Sequence, residues 1–203
     1  YGYTTMGKIR IGDDVFDEKG NICHVVAKSS VDFSEQAYRI TFKDGEVIDA
    51  GANHQWYGQY TRGKPKNCIM TTEELFNLPK DGHSLRFRIP IAKCLKLKEV
   101  SLPVSPYLMG YWLGNGSAAE PKITIKTEDV SGVLNNIINY HKISSIRRNV
   151  GDSVIIYIPD LNKILLKTFH DKKIPLNYLR ASREQRMELL RGLMDSDGCI
   201  EKI

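Results

Sequence analysis

The chain has 203 residues, 41% of them hydrophobic and 26% charged, the composition of an ordinary globular protein of one or two domains. Its net charge of +5 and isoelectric point near 8.9 permit a nucleic-acid partner without demanding one. No run of about 18 apolar residues is present, which excludes a membrane-spanning helix, and no signal peptide opens the chain. Cys23, Cys68, Cys94 and Cys199 form no C-x-x-C pair and read as reduced thiols in a cytoplasmic protein.

From the N-terminus, turn signals at Gly12-Asp13, Lys19-Gly20-Asn21 and Lys43-Asp44-Gly45 separate short apolar runs. Residues 13–17 are predicted to pair with 22–26, and 38–42 with 46–50, as two hairpins of a small all-β module. Tyr57 to Asn67 mixes aromatics and glycines with Arg62, Lys64 and Lys66; it reads either as a flap touching DNA phosphates or as a solvated hairpin loop. Thr71 and Glu74 make a capping box for a short helix that stops before Pro79. Leu85 to Pro90 alternates like a strand, and 97–102 reads as a bridge between domains.

Ser105 as N-cap and Pro106 at the first helical position open the next helix, Leu108-Met109-Gly110-Tyr111-Trp112-Leu113-Gly114-Asn115-Gly116. Lys122 to Lys126 alternates with period two, putting Ile123 and Ile125 in a core. A helix from a Thr127 cap to Ile138 is predicted next. A hairpin of 143–149 with 153–158 and a short helix over 161–169 follow. Ser182 and Gln185 cap a helix carrying Leu190-Arg191-Gly192-Leu193-Met194-Asp195-Ser196-Asp197-Gly198. This segment repeats the first motif 82 residues on: Leu108 matches Leu190, Gly110 matches Gly192, Gly114 matches Ser196 and Gly116 matches Gly198. Small residues four apart share a helix face, so two such helices can pack closely and bring their ends to one point. Asp195 and Asp197 stand on a last turn closed by Gly198. The helix dipole disfavours carboxylates there unless a cation is near, so the pair reads as a metal site or as solvated acids on a surface helix.

The paired motifs resemble those of the LAGLIDADG (DOD-type) homing endonucleases, almost literally in the second copy. In the first, Asn115 stands where that family has an acid. The element order from 106 to 170 is similar to the family's αββαββα lobe, with room for one more strand before Lys122. The resemblance implies a saddle-shaped sheet in the major groove of double-stranded DNA, with Lys122, Thr124, Lys126, Arg147 and Arg148 as DNA contacts. Any one of them alone reads as a solvated face. It further implies that the last acid of each motif holds a divalent cation, Mg²⁺, for phosphodiester hydrolysis, which carries over to Asp197 and Asn115 as catalytic and metal-binding residues. An amide at Asn115 brings no charge, so a nickase, a slow enzyme or a degenerate one is expected. Gly110, Gly114, Gly192 and Ser196 are implied as the helix-packing positions.

Gly2-Tyr3-Thr4-Thr5-Met6-Gly7 leading into Ile11 to Phe16, with Asp44-Gly45 and Val47 through Trp56, resembles the N-terminal part of the Hint protein-splicing domain of inteins. That likeness implies His54 as a catalytic residue polarising the peptide bond at the splice junction. The other reading of His54 is a partly buried histidine hydrogen-bonded beside Trp56. Gly51 stands where that family has threonine, and neither an N-terminal nucleophile nor a terminal His-Asn pair is present, so an internal piece of a longer protein is expected. The sequence therefore predicts an α+β chain: residues 1–104 as a Hint-like module, and 105–203 as a first endonuclease lobe plus the start of a second. A C-terminal fragment or a second copy is expected to complete it. The alternatives are a cleavage-deficient DNA- or RNA-binding protein of the same fold and a split-intein fragment that splices only with a partner.

Overall fold

A computed structural model describes residues 2–61, 66–80, 86–148, 151–165 and 172–198. Arg62, Lys64, Leu85, the predicted helix end at Phe169, and Cys199 lie outside these described residues, as does the side chain of Arg148. The chain is α+β and divides into two compact units, Tyr1–Cys94 and Leu95–Ile203.

In the first unit, β1 (Asp14–Phe16) pairs with β2 (Ile22–His24), and β3 (Ala37–Thr41) pairs with β4 (Val47–Gly51), both antiparallel. Gly45 turns the second hairpin at φ +94°, a conformation that costs a glycine nothing. β5 (Gln55–Tyr60) lies between β6 (Lys66–Thr71) and β7 (Phe87–Arg88). Of the stretch expected as a flap or hairpin loop, Tyr57 to Tyr60 pair with Lys66 to Ile69 as the arms of a hairpin, and residues 62–65 lie outside the described residues. α1 (Thr72–Phe76) begins at the expected capping box: Thr71 Oγ1 accepts the Glu74 N–H at 3.1 Å, and the Glu74 carboxylate accepts the Thr71 N–H at 2.7 Å. The Trp56 indole donates to Thr72 Oγ1 at 2.9 Å, tying β5 to that helix.

In the second unit, α2 (Pro106–Asn115) is capped by Ser105, whose Oγ accepts the Leu108 N–H. β8 (Lys122–Lys126), α3 (Val130–Ile137), β9 (Ser145–Arg148), β10 (Ser153–Tyr157), α4 (Asn162–Leu165), α5 (Leu176–Leu179) and α6 (Arg183–Asp197) follow. The sheet is antiparallel in the order β8-β10-β9. Ile123 and Ile125 of β8 and Val154 and Ile156 of β10 are buried together with Leu108 and Trp112 of α2 and Ile137 of α3. Each such large apolar side chain contributes roughly 1.5–3 kcal/mol on burial.

Three sequence expectations need correcting. Residues 118–121 form bends rather than a fourth strand, because the chain leaving α2 makes only a single bridge, Gly116 to Ile123. Thr127 does not cap α3; a 3₁₀ turn over Thr127–Asp129 feeds it, with no side-chain cap at Lys126 or Asp129. Residues 97–102, read as a bridge, and the rest of 95–104, assigned to the first module, are bonded into the second unit. Gln185 exchanges side-chain hydrogen bonds with the backbone of Val100, and Arg186 donates to the Leu95 carbonyl.

Tyr178 anchors the end of that segment. Its hydroxyl is buried, accepts the Val104 N–H at 3.2 Å and donates to the Val104 carbonyl at 2.9 Å. Burial pushes its phenol from the ordinary 10.0 up to about 12. A folded value above the unfolded one gives stability that is complete below pH 10 and lost as pH rises toward 12, where only the unfolded chain has released the proton. Tyr178→Phe should cost about 1–3 kcal/mol at neutral pH. It should also lessen the alkaline decline in denaturation midpoint; an unchanged slope between neutral and alkaline pH would argue against this anchor.

Candidate functional site

α2 and α6 meet along glycine. A Cβ added at Gly110 would lie 2.1 Å from the Leu189 carbonyl oxygen and 3.1 Å from Gly192 Cα. One added at Gly192 would lie 2.1 Å from the Tyr107 carbonyl oxygen. The two backbones therefore touch, which only a residue without a side chain permits. One turn further along, a Cβ at Gly114 would meet Ser196 Oγ at 2.2 Å and Asp197 Cγ at 3.2 Å.

This contact brings Asn115 and Asp197 to the same end of the pair. Asn115 Nδ2 donates to the Ser196 carbonyl at 3.1 Å, which leaves its amide oxygen as the end available to a ligand. Asp197, exposed, rests its carboxyl against Gly114. Asp195 is engaged elsewhere, its Oδ2 accepting the Tyr107 hydroxyl at 2.7 Å. Burial first, and then this carboxylate, push the Tyr107 phenol well above its ordinary value. Burial likewise raises Tyr111, with Asp129, Asp195 and Asp197 adding to the effect and a hydrogen bond from Asn115 opposing it.

Both motif helices end at glycine for a steric reason. Gly116 and Gly198 are extended, at φ −91° and −68°, not left-handed. They are required by space, since a Cβ at Gly116 would sit 2.1 Å from Trp112 Cδ1 and one at Gly198 2.5 Å from the Met194 carbonyl.

Sequence reasoning missed Lys172. Its ammonium donates to the Gly116 carbonyl at 2.7 Å and the Gly114 carbonyl at 3.3 Å, and lies 5.5 Å from the Trp112 ring. It thus supplies positive charge where the carbonyls of α2 run out. No spacing rule ties position 172 to position 114. Its backbone, at φ +41°, is unusual for a lysine.

The donor set bears on the implied cation. Among the described residues no group of three or more His, Cys, Asp or Glu could hold a metal ion. One carboxylate, Asp197, and one amide oxygen, Asn115, stand at the C-terminal ends of two helices, where Lys172 already bonds the last carbonyls of α2. A hard cation such as Mg²⁺ keeps most of its shell as water and phosphate, so these two oxygens would be the protein's share of its ligands.

The sheet presents a basic face. Register places Lys122, Thr124 and Lys126 in the same rows as Tyr157, Ile155 and Ser153, with Arg147 opposite Ile155. Lys122 lies 5.8 Å and Arg147 5.3 Å from the Tyr157 ring centroid. Lys122 is also bonded to Glu120, which raises its pKa. In the backbone register Arg148 lies opposite Val154. His54, in the first unit, is exposed, with its ring edge-on to Trp56 at 4.6 Å; its carbonyl accepts the Thr72 N–H at 3.0 Å.

The repeat is unequal in packing. Leu108 and Trp112 are 0% exposed, whereas their counterparts Leu190 and Met194 are 47% and 46% exposed.

No protein-family profile matches the chain. The replicative DNA helicase DnaB of Mycobacterium intracellulare is 30% identical over 219 residues, covering 98% of this chain and 36% of that protein. A second replicative DNA helicase DnaB, from Mycobacterium leprae (strain TN), is 39% identical over 59 residues, 29% of this chain and 10% of that protein. The chain thus spans about a third of the length of the first relative. Among the described residues no helix is long and apolar enough to cross a membrane.

Proposed function

We propose that this chain is an intein segment carried within a replicative DNA helicase, and that its second unit is half of a site-specific DNA endonuclease. The observation that carries the endonuclease reading is the reciprocal glycine contact of α2 and α6, which brings Asn115 and Asp197 together. Asp197 and Asn115 would hold Mg²⁺, which supplies charge stabilisation to a phosphodiester under attack. Lys122, Thr124, Lys126 and Arg147 then form the face that meets double-stranded DNA, through phosphates and base edges.

The link to a helicase rests on the two similarities above. An ATP-driven motor is built on a phosphate loop, G-x₄-G-K-[ST]. The nearest spacing here, Gly58 to Pro65, ends in proline, and Gly58 lies inside β5 rather than before a helix. That favours an inserted element over the motor itself. The exposed Leu190 and Met194 support completion of the endonuclease by further chain or by a second copy.

The test is cleavage of a randomised duplex library, by the chain with and without a C-terminal extension, first in Mg²⁺ and then in Ca²⁺. Cut or nicked products in Mg²⁺ that fall at least about 100-fold in Asp197→Asn are the expected result. Products that persist in Asp197→Asn would remove the site from the reaction. Binding without cutting would favour the second reading, a DNA-binding protein that has lost cleavage, for which the uncharged Asn115 is the specific observation.

A further inference from the structure

A separate cluster lies at the opposite end of α2 from Asn115. Ser105 Oγ is 2.9 Å from His141 Nε2, and His141 Nδ1 is 2.8 Å from Asp160 Oδ2. A third bond fixes the proton positions. The Ser105 backbone N–H, which can only donate, points at the same Nε2 at 3.0 Å. Nε2 is therefore an acceptor, and the neutral ring carries its proton on Nδ1, facing Asp160. Lys163, 2.6 Å away, and then His141 hold the Asp160 carboxyl below its ordinary value. The His141 side chain is only 6% exposed and so has a fixed orientation. Ser105 Oγ faces the N-terminus of a ten-residue helix, where the dipole favours developing negative charge. All three residues line one open groove of about 770 Å³.

We propose that Ser105, His141 and Asp160 form a nucleophile, a general base and an orienting carboxylate in this groove, acting on a neutral or cationic acyl ester. The sign of the substrate follows from the lining. Glu99, Asp160, Glu184 and Glu188 outnumber Lys163 and Arg191, and both cations are already paired, with Asp160 and Glu188. An anionic acyl group meets surplus carboxylate; a cationic one is drawn in.

Ser105 Oγ attacks the ester carbonyl carbon and its proton passes to Nε2. The carbon–oxygen bond to the alcohol breaks, and the alcohol leaves with that proton. Water repeats the route on the acyl-serine, releasing the acid and restoring Ser105. The Ser105 N–H competes for the Nε2 lone pair, so turnover is slow and acylation is the step to observe.

The experiment uses the full chain, a fluorophosphonate probe and paired p-nitrophenyl esters bearing a cationic or an anionic acyl group. Expected are one label per chain, mapped to Ser105, and acylation about tenfold faster for the cationic ester. Ser105→Asn retains an oxygen able to cap α2 but has no nucleophile, so it should keep the circular dichroism and melting curve of the parent and lose the label. Asp160→Asn should slow labelling by at least about tenfold with the fold retained. An unlabelled folded parent would reduce the cluster to a helix cap and overturn the proposal. So would a label elsewhere in the chain, or one that persists in Ser105→Asn.

Discussion

Gly192→Ala should lower the stability of the second unit by about 3 kcal/mol, although alanine is the better helix former. The new methyl would lie 2.1 Å from the Tyr107 carbonyl oxygen, 2.8 Å from Tyr111 N and 3.0 Å from the Tyr107 carbonyl carbon. All three atoms belong to the backbone of α2, so no rotamer change relieves the overlap. The helices must separate, which wets the apolar atoms buried where they meet. Gly132→Ala is the matched control. It too sits in a helix, but nothing lies within 4 Å of its added Cβ, and there alanine should stabilise by roughly 0.5–1 kcal/mol. Urea denaturation of the three proteins reads the difference. Equal shifts for both variants would mean that the helices are not in backbone contact. Gly110→Ala combined with Gly192→Ala should cost less than the two singly, since one displacement relieves both clashes.

The second large effect concerns charge. Asn115→Asp should destabilise the metal-free protein by about 1–2 kcal/mol, because it removes the donor that satisfies the Ser196 carbonyl and sets a carboxylate beside Asp197 at two negative helix ends. Divalent cation should reverse the sign. Two carboxylates and a hard ion form a better site than one carboxylate and an amide, and a ligand present at about 100 times its Kd adds about 2.7 kcal/mol. Thermal melts across a Ca²⁺ series should thus rise steeply for the variant and little for the parent. The rise should disappear when Asp197→Asn is added. A melt indifferent to Ca²⁺ in the variant would mean that the two helix ends do not share an ion. In Mg²⁺ with DNA, the same variant should gain double-strand cleavage.

Much of this geometry is readable from residue spacing. Ser105-Pro106 and Ser182 with Gln185 announce the starts of α2 and α6, and their small residues four apart announce the face on which they meet. The alternation of Lys122 to Lys126 gives the buried and outward faces of β8 correctly. Periodicity also distinguishes the two acids of the second motif: residues two apart on a helix lie about 200° apart, and Asp195 accepts the Tyr107 hydroxyl while Asp197 lies by Gly114. Other features carry no local signal. α5 has four residues, too few to show a period. Lys172 reaches the end of α2 through the tertiary fold, and the extended glycines at 116 and 198 answer to space that only the packed structure defines.

The glycine contact joins positions 82 residues apart, which has a consequence in time. At about 5–20 residues per second, a ribosome delivers Gly192 roughly 4–16 s after Gly110. Through that interval α2 can settle onto β8 and β10 while its glycine face stays bare. The sheet and its basic face can therefore be complete before Asp197 exists in the chain. On the proposed function, DNA contact and cleavage competence would be separable stages of biogenesis, with Asp197 arriving after the sheet.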